Sequence, residues 1–198
     1  MHVFIVYAHP SDDSFTRHVR ESFIKGVIDG QHTYEMSDLY RMNFKTDISE
    51  SEYLREANFE TDTPLSQDVV DEQHKINNCD VIAFIYPVFW TEAPAKLVGW
   101  FDRVWTYGFA YGNRTMKKLK KAIVLCIAGH TLDYLKEIGH YESMKTVMLG
   151  DRIYDRAEKK EMIMLDGTTK LKQELRKNNW EKHLKTAYNL GMYLESKH

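Results

Sequence analysis

Val81-Ile82-Ala83-Phe84-Ile85-Tyr86-Pro87 is the stretch that decides the fold. Its unbroken apolar run, without alternation, predicts a strand covered on both faces, and Pro87 stops it. Strands of that kind belong to parallel sheets with helices on either side. Two similar runs flank it, Val3–Tyr7 and Ala122–Ile127. Shorter candidates at His32–Met36 and Met162–Leu165 raise the count to five.

Between the strands the apolar period changes. Phe15, Val19, Phe23 and Val27 recur every four residues, which predicts a helix from the Asp12-Asp13-Ser14 caps to about Asp29, closed by Gly30. Pro64 opens a second helix with Val69, Gln73 and Ile76 on one line. Pro94 opens a third, whose stripe is Leu97, Trp100, Phe101, Val104 and Trp105. From about Thr169 to Glu195 the pattern is helical, with Trp180, Leu184, Tyr188 and Gly191 on one face and a break at Asn178-Asn179. Residues 38 to 63 are weakly patterned and read as a long loop with one helical turn, a length usually tied to function or mobility. No repeat or linker divides residues 1–198, so they form one domain. Alternating strands and helices give an α/β three-layer sandwich, a five-stranded parallel sheet of the flavodoxin-like kind.

Composition narrows the function. With 198 residues the chain can bury a real core, and its net charge of -2 gives no footprint for nucleic acid or anionic membrane. No apolar run is long enough to span a bilayer, and the N-terminus lacks the basic region of a signal peptide. Cys79 and Cys126 lie in or beside apolar stretches, as buried thiols of a cytoplasmic protein do. No H-E-x-x-H or C-x-x-C motif occurs, so no metal site is expected, and the absence of G-x-S-x-G removes one serine-nucleophile reading. His32, His74, His183 and His198 are expected in solvent.

In open parallel sheets ligands sit beyond the carboxyl ends of the strands. The first such loop, His9 to Thr16, either offers backbone N–H groups to a phosphate or simply caps its helix. Neither glycine-rich phosphate fingerprint is present. The second, Pro87 to Glu92, carries Phe89-Trp90, either a wall for a flat ring or a satellite core. The third holds Gly129, where backbone can approach a ligand, followed by Tyr134 and His140, which are either hydrogen-bonding site residues or ordinary surface and core.

Taken together, these stretches resemble the NAD(P)H:quinone oxidoreductase family, which includes the modulator-of-drug-activity type and the flavoproteins of potassium-efflux systems. The matching residues are His9 with Ser14-Phe15-Thr16, Pro87-Val88-Phe89-Trp90, Pro94-Ala95-Lys96-Leu97-Val98-Gly99-Trp100-Phe101-Asp102-Arg103-Val104 and Gly108-Phe109-Ala110-Tyr111-Gly112. The similarity runs over residues 1 to about 145. It implies a flavin, FMN or alternatively FAD, with NAD(P)H as donor and a quinone-like acceptor. By it, His9, Ser14, Phe15 and Thr16 hold the phosphate and ribityl chain, and Pro87, Val88, Phe89, Trp90, Gly129 and Tyr134 border the flavin ring. Tyr134 and His140 match the catalytic pair, and Trp90, Tyr111 and His140 meet the substrate. The turn Cys126-Ile127-Ala128-Gly129 lacks the family's hydroxyls, which leaves backbone contacts there. Thr91 replaces a second aromatic, which widens the acceptor pocket.

The resemblance also implies ping-pong, two-electron reduction by a homodimer, which the stripe with Trp100 at its edge beside Gly99 is expected to join. Two rival readings are a flavin-binding regulatory subunit of a membrane transporter and a flavodoxin electron carrier. Electron carriers of that kind are usually strongly acidic, which the charge of -2 does not match.

Overall fold

The strands run in the order β2-β1-β3-β4-β5, all parallel. They are β1 (His2–Tyr7), β2 (Thr33–Asp38), β3 (Val81–Pro87), β4 (Leu119–Ile127) and β5 (Ala157–Leu165). The structure is a computed structural model that describes residues 1–195. Its helices are α1 (Phe15–Asp29), α2 (Glu50–Ala57), α3 (Gln67–Asn78), α4 (Ala95–Val104), α5 (Leu132–Glu137), α6 (His140–Lys145) and α7 (Gln173–Met192), and a π-helical segment (Thr146–Ile153) follows α6.

Residue parity sorts the core into two layers. Val3, Ile5 and Tyr7 of β1 join Ala83, Ile85, Leu125 and the inner faces of α1 and α7. Phe4 and Val6 point the other way, with Phe84, Tyr86 and Cys126, against α3, α4 and the π-helical segment. Both faces of β3 are therefore buried, as its unbroken apolar sequence predicts. Cys79 and Cys126 are buried free thiols. No helix among the described residues is long and apolar enough to cross a membrane.

Several expectations need correction. The segment read as loop contains α2, started by a capping box in which Ser49 Oγ accepts from Glu52 N–H and the Glu52 carboxylate accepts from Ser49 N–H. Strand β5 begins five positions before Met162, because its first half, Ala157 to Glu161, lies on the sheet edge and is charged instead of apolar. Helix α7 passes unbroken through Asn178-Asn179, with Asn179 Nδ2 donating to the Asp166 carbonyl at 3.2 Å. Its buried residues are His183, Ala187, Leu190 and Gly191, with Trp180 and Leu184 packed partly buried beside them, so the inward face is wider than the one read and centred toward Ala187. His183, expected in solvent, is buried with Nε2 2.8 Å from the same carbonyl. His32 is half-buried, His74 is exposed, and His198 lies outside the described residues.

The largest correction concerns α4. Leu97, Trp100 and Val104 are fully buried in their own subunit, and Trp100 Nε1 donates to Glu72 Oε2 at 2.7 Å. Trp100 therefore cannot be an interface residue. Gly99 does permit a close backbone approach, but by the same chain: a Cβ there would lie 2.5 Å from the Thr46 carbonyl oxygen. Arg103, also buried, fixes this long segment by bonding Glu52, Asp68, Ser66 and the Lys45 carbonyl.

Candidate active site

The strand order reverses between β1 and β3, which puts the switch-point crevice over their carboxyl ends. Backbone bonds hold the exits of neighbouring strands side by side: Ala8 N–H to Ile85 O, Val88 N–H to Ile127 O, and Ala128 N–H to Leu165 O. All three predicted loops thus leave one edge.

After β1, Ser14 caps α1 and its Oγ accepts the Arg17 N–H at 3.1 Å. The first turn of α1 carries no acidic residue, which leaves its positive end open to an anion. Phe15 and Thr16 are buried, with Phe15 4.3 Å from Trp180 between ring centroids. What they present at the crevice is backbone. His9 Nδ1 lies 3.0 Å from the N and O of Ser11, and burial lowers its pKa below the usual imidazole range. Asp12 is held by Arg41, which lowers the Asp12 pKa.

After β3 the chain makes a tight two-residue turn. Phe89 N–H donates to Glu92 O at 2.8 Å and Glu92 N–H returns to Phe89 O at 3.0 Å. The central residues, Trp90 and Thr91, have φ of 52° and 64°. That backbone is normally given to Asn-Gly, so both residues hold an unfavourable conformation. The turn persists because Glu92 pairs with Arg152 at 2.9 Å. It leaves Trp90 100% exposed. Beneath it, burial pushes the Cys126 thiol up to about 12 and holds Tyr86 well above the usual phenol range.

Val88, Trp90, Thr91, Ala128, Gly129, His130, Tyr134, Leu135, Ile138 and His140 line one cavity of about 270 Å³. The structure thus joins predicted residues from two loops, including the proposed catalytic pair. A Cβ at Gly129 would meet only Thr169, at 3.6 Å, so the protein itself does not crowd that position. Thr91 Oγ1 lies 2.9 Å from His140 Nδ1. Phe89 is exposed, and Pro87 is buried as the last residue of β3. Tyr111 does not line this cavity. Its hydroxyl donates to Glu56 Oε2 at 2.7 Å, and burial together with that carboxylate pushes its pKa up to about 12.

Sequence reading missed His130, Leu135 and Ile138 as wall residues and Glu56 as the anchor of Tyr111. His130 directly follows Gly129 at a strand exit and was within reach. Glu56 lies on the helix that was not predicted. A wider cleft of about 570 Å³ opens at Lys170, Gln173, Arg176, Lys177, Trp180 and Glu181. It adjoins the first loop through the contact of Trp180 with Phe15.

A family described as having a flavodoxin-like fold matches residues 1–153. The chain belongs to this family. A solved NAD(P)H:quinone oxidoreductase from Methanothermobacter marburgensis is 47% identical, with a TM-score of 0.92 over 100% of this chain and 98% of its own. That likeness bears out the resemblance read from the sequence. NAD(P)H dehydrogenase (quinone) 1 of Rattus norvegicus is 35% identical over 125 residues, 57% of this chain and 46% of the relative. The chain spans about half the length of the curated relatives it matches. The flavodoxin-like fold also recurs in an FMN-dependent NADH-azoreductase from Bacillus anthracis in complex with FMN, at a TM-score of 0.64, 18% identity, and 96% and 100% coverage of the two chains.

Proposed function

We propose that this chain is a flavin-dependent NAD(P)H oxidoreductase that reduces quinones or similar small acceptors by two electrons in ping-pong fashion. The observation that carries the reading is the cavity beyond the carboxyl ends of β3 and β4, next to the switch point, shared by Trp90, Gly129, Tyr134 and His140. The 47%-identical relative is an oxidoreductase by name, which favours turnover over a docking role on a transporter.

The residues present fit a flavin. The acid-free first turn of α1, with Ser14 and the backbone of Phe15 and Thr16, suits the phosphate, and His9 adds a ring nitrogen beside it. Val88, Phe89 and the exposed Trp90 supply a wall for a flat ring beyond Pro87, while Gly129 lets backbone come close. A bound flavin supplies the hydride chemistry. The chain orients the reactants: Tyr134 donates a hydrogen bond where negative charge develops, and His140 holds a proton beside the acceptor. The exposed ring of Trp90 offers a face on which a flat acceptor can stack.

We take the cofactor to be FMN. One observation favours FAD: the cleft at Trp180 joins an indole to Lys170, Arg176 and Lys177, chemistry suited to a second phosphate and a base. The mass of the cofactor released on denaturation decides between them.

We further propose a cytoplasmic homodimer, built away from α4. Tyr53, Leu54 and Phe59 are exposed on and just after α2, and Glu56 of that helix holds Tyr111. A partner seated there receives Tyr111 in its own cavity, which gives the substrate role of Tyr111 a place. The test is purified protein. It should be yellow, show parallel double-reciprocal lines with NAD(P)H and a quinone, and lose about a hundredfold in turnover in His140→Ala and Tyr134→Phe at unchanged flavin content. Colourless protein that binds neither FMN nor FAD defeats the reading.

A further inference from the structure

Thr91 is the one residue of the cavity wall that is both conformationally costly and bonded to the proposed acid. A β-branched residue at φ 64° is rare, and here it follows another non-glycine residue at 52°. Reciprocal backbone bonds between Phe89 and Glu92 and the Glu92–Arg152 pair hold the turn in that form. The result aims the two side chains differently: Trp90 stands fully in solvent, while Thr91 Oγ1 lies 2.9 Å from His140 Nδ1. Among the described residues this is the only side-chain hydrogen bond that either group makes. The His140 Nε2 makes no hydrogen bond among the described residues, and its residue lines the cavity.

We propose that Thr91 is a positioning residue for His140: its hydroxyl donates to Nδ1, which keeps the ring proton on Nε2 and presents that N–H to the acceptor. A hydroxyl can donate or accept, and it is as the donor to Nδ1 that Thr91 leaves the ring proton on Nε2. The inference rests on the oxidoreductase reading, and it deepens it. An aromatic at position 91 fills space but supplies no such partner. With Thr91 the pocket gains both room and a fixed donor, which suits acceptors whose reacting atom is a carbonyl oxygen.

The experiment compares wild type with Thr91→Val, which keeps the branched shape, and Thr91→Ser, which keeps the hydroxyl. Imidazole ¹⁵N spectra at about pH 8, above the ordinary histidine range, should show His140 protonated on Nε2 in wild type and Thr91→Ser. In Thr91→Val that preference should be lost. Flavin-loaded enzyme reduced by NAD(P)H should pass electrons to 2-methyl-1,4-naphthoquinone about tenfold more slowly in Thr91→Val, against roughly a hundredfold for loss of a general acid. Thr91→Ser should stay within about twofold of wild type, and Thr91→Val should add nothing in a His140→Ala background. An unchanged tautomer in Thr91→Val, or effects of the two substitutions that multiply, overturns the proposal. A flavin-loaded wild type that reduces no quinone sinks the oxidoreductase reading instead, and the ¹⁵N spectra then decide the Thr91 assignment alone.

Discussion

Two tryptophans ten residues apart divide the molecule into two kinds of structure. Trp100 has no exposed surface, and its N–H is spent on Glu72, whose carboxylate also accepts from Ser37 and Lys75. Trp90 is wholly exposed and stands on a turn whose backbone disfavours it. Both follow β3 and flank Pro94. The contrast teaches that one strand exit supplies first a strained, exposed turn and then a buried helix. Local strain survives only where the surroundings over-determine it, and the Glu92–Arg152 pair, with the Arg152 guanidinium 4.9 Å from the centre of the Phe101 ring of α4, provides that support.

The largest expected effect breaks the rigid half. Trp100→Ala should cost about 3–5 kcal/mol, the range for large core truncations, and strand the buried Glu72 without one donor. Denaturant unfolding measures it. Because Trp100 lies inside the subunit, the variant should lose stability at all protein concentrations. A selective loss of association would show that α4 serves an interface after all.

A smaller effect of opposite sign is expected in the other half. Replacing Trp90-Thr91 by Asn-Gly places residues suited to positive φ in the turn and should stabilise the cofactor-free protein by about 1 kcal/mol or more. The same variant should lose acceptor reduction, since it removes the indole wall and the His140 partner together. Equal or lower stability in denaturant unfolding would mean that the turn stores no strain.

How much of this was legible follows the same division. The rigid half announces itself by apolar periodicity, which marks β1, β3, α1 and α4 close to their limits and β4 from Ala122, three residues inside its start at Leu119. The edge strand β5 was cut short because Glu158, Lys159, Lys160 and Glu161 carry no apolar signal, although charge is what protects an edge. Helix α2 was missed although Ser49 and Glu52 spell a capping box, because its polar faces hide the helical period. In the candidate site, the resemblance names Val88, Trp90, Gly129, Tyr134 and His140, which line one cavity, yet the bond between Thr91 and His140 joins positions 49 apart and depends on two positive φ angles. No local pattern announces either. The stripe on α4 misled because hydrophobicity does not say whether the sheet or a second copy covers a helix face.

The smallest effect locates the border between the halves. Cys126 lies one residue before the end of β4, and its thiol donates to the hydroxyl of Tyr86, one residue before β3 ends at Pro87, at 3.2 Å. Burial pushes Cys126 and Cys79 alike up to about 12. If the rigid half reaches that far, neither thiol of the native protein should react with a disulfide reagent near neutral pH, and both should react in denaturant. The pH dependence has a definite sign. A pKa raised in the folded state means that the folded protein holds the proton while the unfolded chain releases it. The stabilisation is complete below the ordinary thiol value and is lost as pH climbs toward about 12. From about pH 8 to about pH 9 each thiol should account for about 0.7 kcal/mol of lost stability, taking about 8.5 for the unfolded chain. Cys126→Ala should flatten that slope in denaturant unfolding by one thiol's share. A slope unchanged by the substitution, with rapid native labelling of Cys126, would move the border downward and put Cys126 on the same side as the Trp90–Thr91 turn.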